Sequence, residues 1–412
     1  MKLTYKQKLG YLFSLPVIVA ALGYFVDIYD LLLFSIVRIP SLKSMGLDWD
    51  LYGTMILNWE KTGLLLGGIL WGVFGDKKGR LSVLFGSILV YSLANIACGL
   101  LPQVEFMEKQ NAYALFRFIA GVGLAGELGA GITLVSESLP KELRTIGTSI
   151  VAGFGLLGAV VASLTAGLAS DWTVAYFIGG GMGLALLLLR IGVLESGLYK
   201  QIEKNSTVSK GNFLSFFTNY ERFVRYMKCI AIGLPTWFCI GILAVFANQF
   251  GTALGIVGEI DPGKAILWAY IGISAGDFAS GFISNWLRSR KKAIFYMMLF
   301  TIVGVILMLF GAAKTVEMYY FFCVWLGLGT GYWALFVTMG AEQFGTNIRA
   351  TAATTIPNMV RGTLVLMILL FDFFKPSAGV IWAAAIVGII AFGLGIYSTL
   401  TVSETHNKDL DY

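Results

Sequence analysis

Long apolar runs separated by short polar stretches set the pattern of this chain. Twelve runs are readable, at 13–36, 51–74, 80–102, 113–137, 146–168, 172–195, 227–254, 263–287, 293–312, 318–340, 352–374 and 377–401. About 20 apolar residues in a helix cross the hydrocarbon of a bilayer, so each run predicts a membrane-spanning helix. Barrel strands would alternate in polarity over about ten residues, and no such alternation is seen. The first run follows Lys2, Lys6 and Lys8, lacks a small-residue cleavage site, and reads as span one rather than a leader. One long polar stretch, about Tyr199–Arg225, divides the runs six and six. The expected architecture is an all-α membrane protein with twelve transmembrane helices in two pseudo-symmetric six-helix bundles. The bundles take residues 1–198 and 227–412, the second with a short tail, and residues 199–226 form the linker. Phe213, Phe216 and Phe217 give that linker the pattern of an amphipathic surface helix.

Composition narrows the class. Hydrophobic residues make up 57% and charged residues only 13%, against about 25% charged in soluble chains, which excludes an ordinary soluble enzyme and a disordered protein. The net charge of +6 belongs to the loops and implies no nucleic-acid partner. With the N-terminus inside, the inner segments carry twenty Lys and Arg, the outer ones (Arg38 and Lys43 among them) six, and the spans four. That excess places both termini in the cytoplasm and the chain in a cytoplasmic, or inner, membrane. Four Cys lie in apolar stretches without CxxC spacing, and the lone His406 sits in the tail, so no disulfide framework, metal site or cofactor is indicated. The absence of a GxxxxGK[ST] loop argues against an ATP-driven pump.

The two halves echo each other. Glu137-Ser-Leu-Pro-Lys-Glu-Leu-Arg144 ends span four and Glu342-Gln-Phe-Gly-Thr-Asn-Ile-Arg349 ends span ten, 205 residues on. The loop Gly72-Val-Phe-Gly-Asp76-Lys-Lys-Gly79-Arg80 is matched near an offset of 209 by Gly281-Phe-Ile-Ser-Asn285-Trp-Leu-Arg288. Repeated halves imply a pseudo-two-fold carrier with its solute site between them.

These motifs resemble a known family. Gly72-x-x-x-Asp76-Lys-Lys-Gly79-Arg80 is similar to the loop 2–3 signature of the major facilitator superfamily. Arg117-Phe-Ile-Ala-Gly121-Val-Gly123-Leu-Ala-Gly126 resembles its span-four motif, and Arg190-Ile-Gly-Val-Leu-Glu195-Ser196 its element after span six, with Gly197 where that family has Pro. Asp27-Ile-Tyr-Asp30 looks like the Asp-Gly-x-Asp of the aromatic-acid/proton symporters, without the Gly; metabolite/proton symporters are equally similar. The resemblance implies the major facilitator fold and gating roles for Gly72, Asp76, Gly79 and Arg80, with Arg80 reaching Glu137, and for Arg144, Glu342 and Arg349. Asn285 in place of Asp implies a weaker latch in the second half.

Ionisable residues inside spans are costly and mark paths or pairs. Asp27, Asp30, Glu60 and Glu127 form a staircase of carboxylates in the first half and are the candidates for proton coupling, since no span contains His. Asp30–Arg117 is the expected structural pair, Lys61 either pairs or snorkels, and Arg190 near the end of span six snorkels or docks the loop. Arg361 is the mid-span cation of the second half, placed to meet an anionic solute, and Asp277 lies midway along span eight. Tyr24 shares a helix face with Asp27. Beside it the binding candidates are Tyr29, Asn58, Lys61, Arg117, Trp237, Asn248, Gln249, Tyr332, Trp333, Asn358 and Arg361. Together they describe a monomeric carrier of a small, anionic organic solute, driven by protons and needing no cofactor. The alternative is an exporter of a drug-like or siderophore-like metabolite by proton antiport; Gly153-Phe-Gly155-Leu-Leu-Gly158 in span five lacks the Pro of the drug antiporters.

Overall fold

The computed structural model describes residues 4–78, 80–127, 135, 139–140, 143–169, 171–195 and 213–406. Every regular element among them is helical. A short helix, Tyr5–Leu12, precedes span one (Leu15–Ser44). Span two is Leu51–Lys78, span three Arg80–Gly99, span four opens with Lys109–Leu124, span five is Arg144–Leu168 and span six Trp172–Glu195. In the second half span seven runs Tyr220–Phe238, passes through a π-helical turn at Cys239–Ala244 and ends as Ala247–Ala253. Spans eight (Pro262–Leu287) and nine (Arg290–Leu307) follow. Span ten is broken into Val316–Thr330 and Trp333–Glu342. Span eleven begins as Thr346–Gly362 and enters the helix Leu364–Thr401, whose remainder beyond Gly379 is span twelve. Gly379 has φ 77°, a conformation open to Gly at little cost.

Among the described residues nine helical stretches are long and apolar enough to cross a membrane. One of them, Thr351–Thr401, holds two crossings, and spans two and four complete the twelve. Helix length and apolar content therefore agree with the bilayer requirement read from the runs.

The packing repeats as the sequence does. Span one lies along span five, two along four and three along six; seven lies along eleven, eight along ten and nine along twelve. The halves meet where span five packs on eight and span two on eleven, contacts that exchange when each span is advanced by six. Glycine sets the closest crossings. A Cβ at Gly63 or Gly121 would run into the carbonyl oxygens of Phe118 and Glu60, and one at Gly272 or Gly327 into those of Val324 and Ala269. The two pairs are 209 and 206 residues apart, the same displacement as the loop motifs.

Two expectations change. The linker's aromatics form a 3-10 turn, Phe213–Phe216, instead of an amphipathic surface helix. Phe216 stacks on Tyr226 at 4.5 Å and meets Phe344 edge-on at 5.1 Å, because burying those rings stabilises more than leaving them at a surface. Arg38, counted with the outer loop, lies within the span-one helix and is 1% exposed.

Candidate functional site

Spans one, five, seven, eight, ten and eleven converge on a small cavity of about 10 Å3 between the two halves. Tyr24, Ile28, Leu156, Thr236, Trp237, Ile240, Tyr270, Ile273, Trp333 and Arg361 line it. Two helix irregularities place its tryptophans. Trp237 stands just before the π turn of span seven, and Trp333 opens the second helix of span ten. Asp277 holds that second opening by accepting from the Ala334 N–H at 2.9 Å, as a carboxylate caps a helix N-terminus. Arg361 Nη1 donates to Asp27 Oδ2 at 3.3 Å across the interface. Arg361 Nε, Tyr24 Oη and Trp333 Nε1 are buried donors without a hydrogen-bond partner, and Asp27 Oδ1 is a buried acceptor without one. Aromatic walls, a guanidinium and spare donors suit an apolar ring bearing an acidic group.

The first half buries a connected charge network. Arg117 Nε and Nη2 donate to Glu60 Oε2 at 2.9 and 2.7 Å, Nη1 to Asn95 Oδ1 at 2.8 Å, and Nη2 to the Asp30 backbone carbonyl at 3.0 Å. Lys61 pairs with Glu60 Oε1, and its Nζ lies 5.5 Å from the centre of the Trp237 ring. Glu127 and Arg190 form a two-pronged buried pair that leaves no room for a Cβ at Gly23. Asp30 is fully buried, and neither carboxyl oxygen has a hydrogen-bond partner.

The ends are tied separately. At the end carrying loop 1–2, Arg38 Nη2 donates to the Val245 carbonyl at 3.0 Å, and its guanidinium sits 4.7 Å from the Phe246 ring centre. Gln249 Nε2 donates to Asp50 Oδ1 at 2.6 Å. A recess of about 1050 Å3 opens at this end between spans one, five and eight, with Lys43, Trp172 and Lys264 among its lining. At the opposite end Arg290 pairs with Glu342, and Glu404 accepts from Ser289 and from the N–H groups of Arg290 and Lys291 at 3.1 and 3.3 Å. The ties at this end of the second half thus run through Arg290, Glu342 and Glu404.

Of the sequence candidates, Tyr24, Trp237, Trp333 and Arg361 line the cavity, and Asp27 touches it through Arg361. The others go elsewhere. Tyr29 is tied to Thr165 Oγ1 at 2.8 Å and the Ala175 carbonyl at 3.0 Å, and Tyr332 to the Ile232 carbonyl at 3.1 Å. Asn358 Nδ2 donates to the Ala125 carbonyl at 2.6 Å, joining span eleven to span four. Asn58 lies on span two, while Asn248 and Gln249 belong to the loop 1–2 end. Arg117 pairs with Glu60 instead of the Asp30 side chain, because Glu60 presents its carboxylate from the glycine-tight crossing of spans two and four. Lys61 is buried rather than snorkelled, and Arg190 turns inward to Glu127. Among the gating residues Glu342 is described; Gly79 and Glu137 lie outside the described residues, as do the side chains of Gly72, Asp76, Arg80, Arg144 and Arg349. Sequence reasoning missed Arg38, Asn95 and Tyr270. Tyr270 could have been found, since it lies two helical turns before Asp277 on the same face.

Residues 20–362 match the family model described as Major Facilitator Superfamily. A niacin transporter of Acinetobacter baylyi is 27% identical over 377 residues, covering 81% of each chain. A gentisate transporter of Corynebacterium glutamicum is 24% identical over 352 residues, covering 79% of this chain and 73% of that one. The solved structure of the proton:xylose symporter XylE bound to 6-bromo-6-deoxy-D-glucose superimposes with a TM-score of 0.72 at 15% identity, covering 98% of both chains.

Proposed function

Because this chain belongs to the Major Facilitator Superfamily and is a multi-pass membrane transporter of small organic solutes, not an enzyme, we propose that it takes up a small ring-bearing organic acid together with protons. The observation that carries this reading is Arg361 in an aromatic-lined closure between the halves, bonded to Asp27 of the opposite half. A solute carboxylate and Asp27 compete for one guanidinium. When the solute takes Arg361, Asp27 is left buried without a cation bonded to it, and neutralisation by a proton is cheaper than burying the bare charge. Solute and proton are then carried through the same rearrangement. Relatives named for niacin and gentisate support a ring acid, and the likeness to XylE, a proton:xylose symporter, supports proton symport.

The excess of basic residues on one side favours cytoplasmic termini in an inner membrane. Arg38–Val245 and Asp50–Gln249 then close the outer end. The test is reconstitution with a pH dye in the lumen and nicotinate, benzoate or gentisate added outside. Saturable acidification is expected, and Asp27→Asn abolishes uphill accumulation while leaving exchange intact. Undiminished accumulation by Asp27→Asn overturns the coupling role. Silence to all ring acids with efflux of a preloaded amphipathic compound replaces uptake by export.

A further inference from the structure

Tyr91 in span three is fully buried, and its hydroxyl has no hydrogen-bond partner. The ionisable groups around it are Glu127, Asp30, Arg190 and Asp27. No role in solute binding falls to it, because it does not line the cavity.

Span six supplies a ruler for its position. Gly179, Gly183 and Arg190 share one helix face. Asp30 Oδ1 presses on Gly179, the Tyr91 ring edge approaches Gly183 (Cε2 would lie 3.0 Å from a Cβ there), and Arg190 holds Glu127. Gly179 and Gly183 are about 6 Å apart along the axis, and Arg190 is about 10 Å further. Long helical side chains lean toward the helix N-terminus, so Arg190 and its partner reach back toward Gly183. Span one gives the same order: Asp30, then Asp27, then Gly23, against which Glu127 and Arg190 close. Tyr91 therefore stands between Asp30 and Glu127. Gly123 of span four fixes its backbone, since a Cβ there would lie 2.6 Å from the Tyr91 nitrogen. Asp27, the other group at this level, is engaged by Arg361.

We propose that the Tyr91 hydroxyl relays the coupled proton between Asp30 and Glu127, ahead of Asp27, which lies one helical turn from Gly23 and takes the proton when the solute engages Arg361. Asp30 bears no bonded cation on its carboxyl and is the resting place of the proton. When the rocking of the halves brings the hydroxyl within hydrogen-bond reach of both carboxyls, the Asp30 O–H bond breaks as its proton moves to the Tyr91 oxygen, while the Tyr91 proton passes to a Glu127 carboxylate oxygen. The phenol stays neutral. The negative charge moves from Glu127 to Asp30, beside Arg117, and the neutral Glu127 loosens its hold on Arg190.

The relay rests on the symport reading, and one pair of vesicle preparations separates them. Wild type and Tyr91→Phe are reconstituted, and nicotinate, benzoate and gentisate are offered in turn. Proton influx and solute exchange at equal pH are recorded. Because the hydroxyl is unbonded, Phe keeps the packing, and exchange should stay within about twofold of wild type while proton influx falls at least about tenfold. Proton influx within twofold of wild type overturns the relay and leaves symport standing. Loss of exchange together with influx overturns it in favour of a structural role. Wild-type vesicles that take up no protons with any of the three acids overturn symport and relay together.

Discussion

Spans two and four cross in the first half as spans eight and ten cross in the second, on equivalent glycines, yet the residues beside the two crossings are opposite in kind. At the displacement of 209 that relates Gly63 to Gly272, Glu60 becomes Ala269 and Lys61 becomes Tyr270. At the displacement of 206 that relates Gly121 to Gly327, Arg117 becomes Cys323. The first crossing buries a carboxylate shared by two cations, whereas the second buries Ala269 and Cys323 beside an aromatic that faces the cavity between the halves. Glycine fixes the backbone approach in both. What differs is what each frame is fitted to hold: buried charge in the first half, and an aromatic ring, Tyr270, in the second.

The largest effect on transport expected from that division is at Arg361. Arg361→Met removes the cation that lines the cavity and strands Asp27, and uptake should fall at least about 100-fold, or about 2.7 kcal/mol. Exchange that survives within tenfold would move the solute's anchor out of the second half. Next comes Glu60→Gln, which leaves Lys61 and Arg117 without their shared carboxylate. Removing one member of a buried pair costs about 3–5 kcal/mol, and thermal unfolding in detergent should report it. Cys323→Ala, at the place equivalent to Arg117, should cost only about 1 kcal/mol. Equal losses for the two variants would abolish the contrast between the crossings.

A smaller effect is expected at Gly23, where spans one, four and six meet. Gly23→Ala places a methyl against Arg190 Nη2 and Glu127 Oε1. Overpacking of this kind costs about 1–3 kcal/mol. Because the displaced groups are the Glu127–Arg190 pair, proton-driven accumulation should drop about tenfold while solute exchange changes less. Accumulation and exchange that fall in parallel would show that the pair only holds helices together.

How far these features could be read in advance follows from what each depends on. The twelve crossings are legible because bilayer thickness imposes an apolar length on the chain, and the duplication is legible in loops whose spacing survives. Trp237, Trp333 and Arg361 stand out as rare residues in apolar runs. Partner choice is another matter. Asp30 and Arg117 sit at similar depth, yet Arg117 reaches Asp30 only through its carbonyl, because helix rotation and the Gly121 contact bring Glu60 nearer. Arg190 looked like a snorkelling end residue and is buried against Glu127. The π turn at Cys239–Ala244, which sits just beyond Trp237, carries no Pro or polar mark of its own. Tyr91 has the same composition signal as any other tyrosine in a span, and only the assembled helices show the carboxylates around it.

The smallest predicted effect lies at the tail, outside the membrane, in the second half alone. Glu404 caps the start of span nine through Ser289 and the backbone N–H groups of Arg290 and Lys291, and accepts as well from those of Thr405 and His406 in the tail. Partial burial pushes its pKa up, but the hydrogen bonds from Ser289, His406, Arg290 and Thr405 outweigh it and hold the carboxyl below the ordinary glutamate value. A group whose pKa is lower when folded stabilises the fold above its unfolded value, and loses that contribution as pH falls through the folded one. Wild type should therefore lose stability between roughly pH 5 and 3, the range just around and below an ordinary glutamate, while Glu404→Gln changes less. Solvent screening keeps the difference to about 1 kcal/mol or below. Unfolding midpoints of the two proteins across that range decide it. If their separation is the same at both ends, the cap acts through geometry and not through charge, and the clasp on span nine ceases to be an ionic counterpart of the first half's buried network.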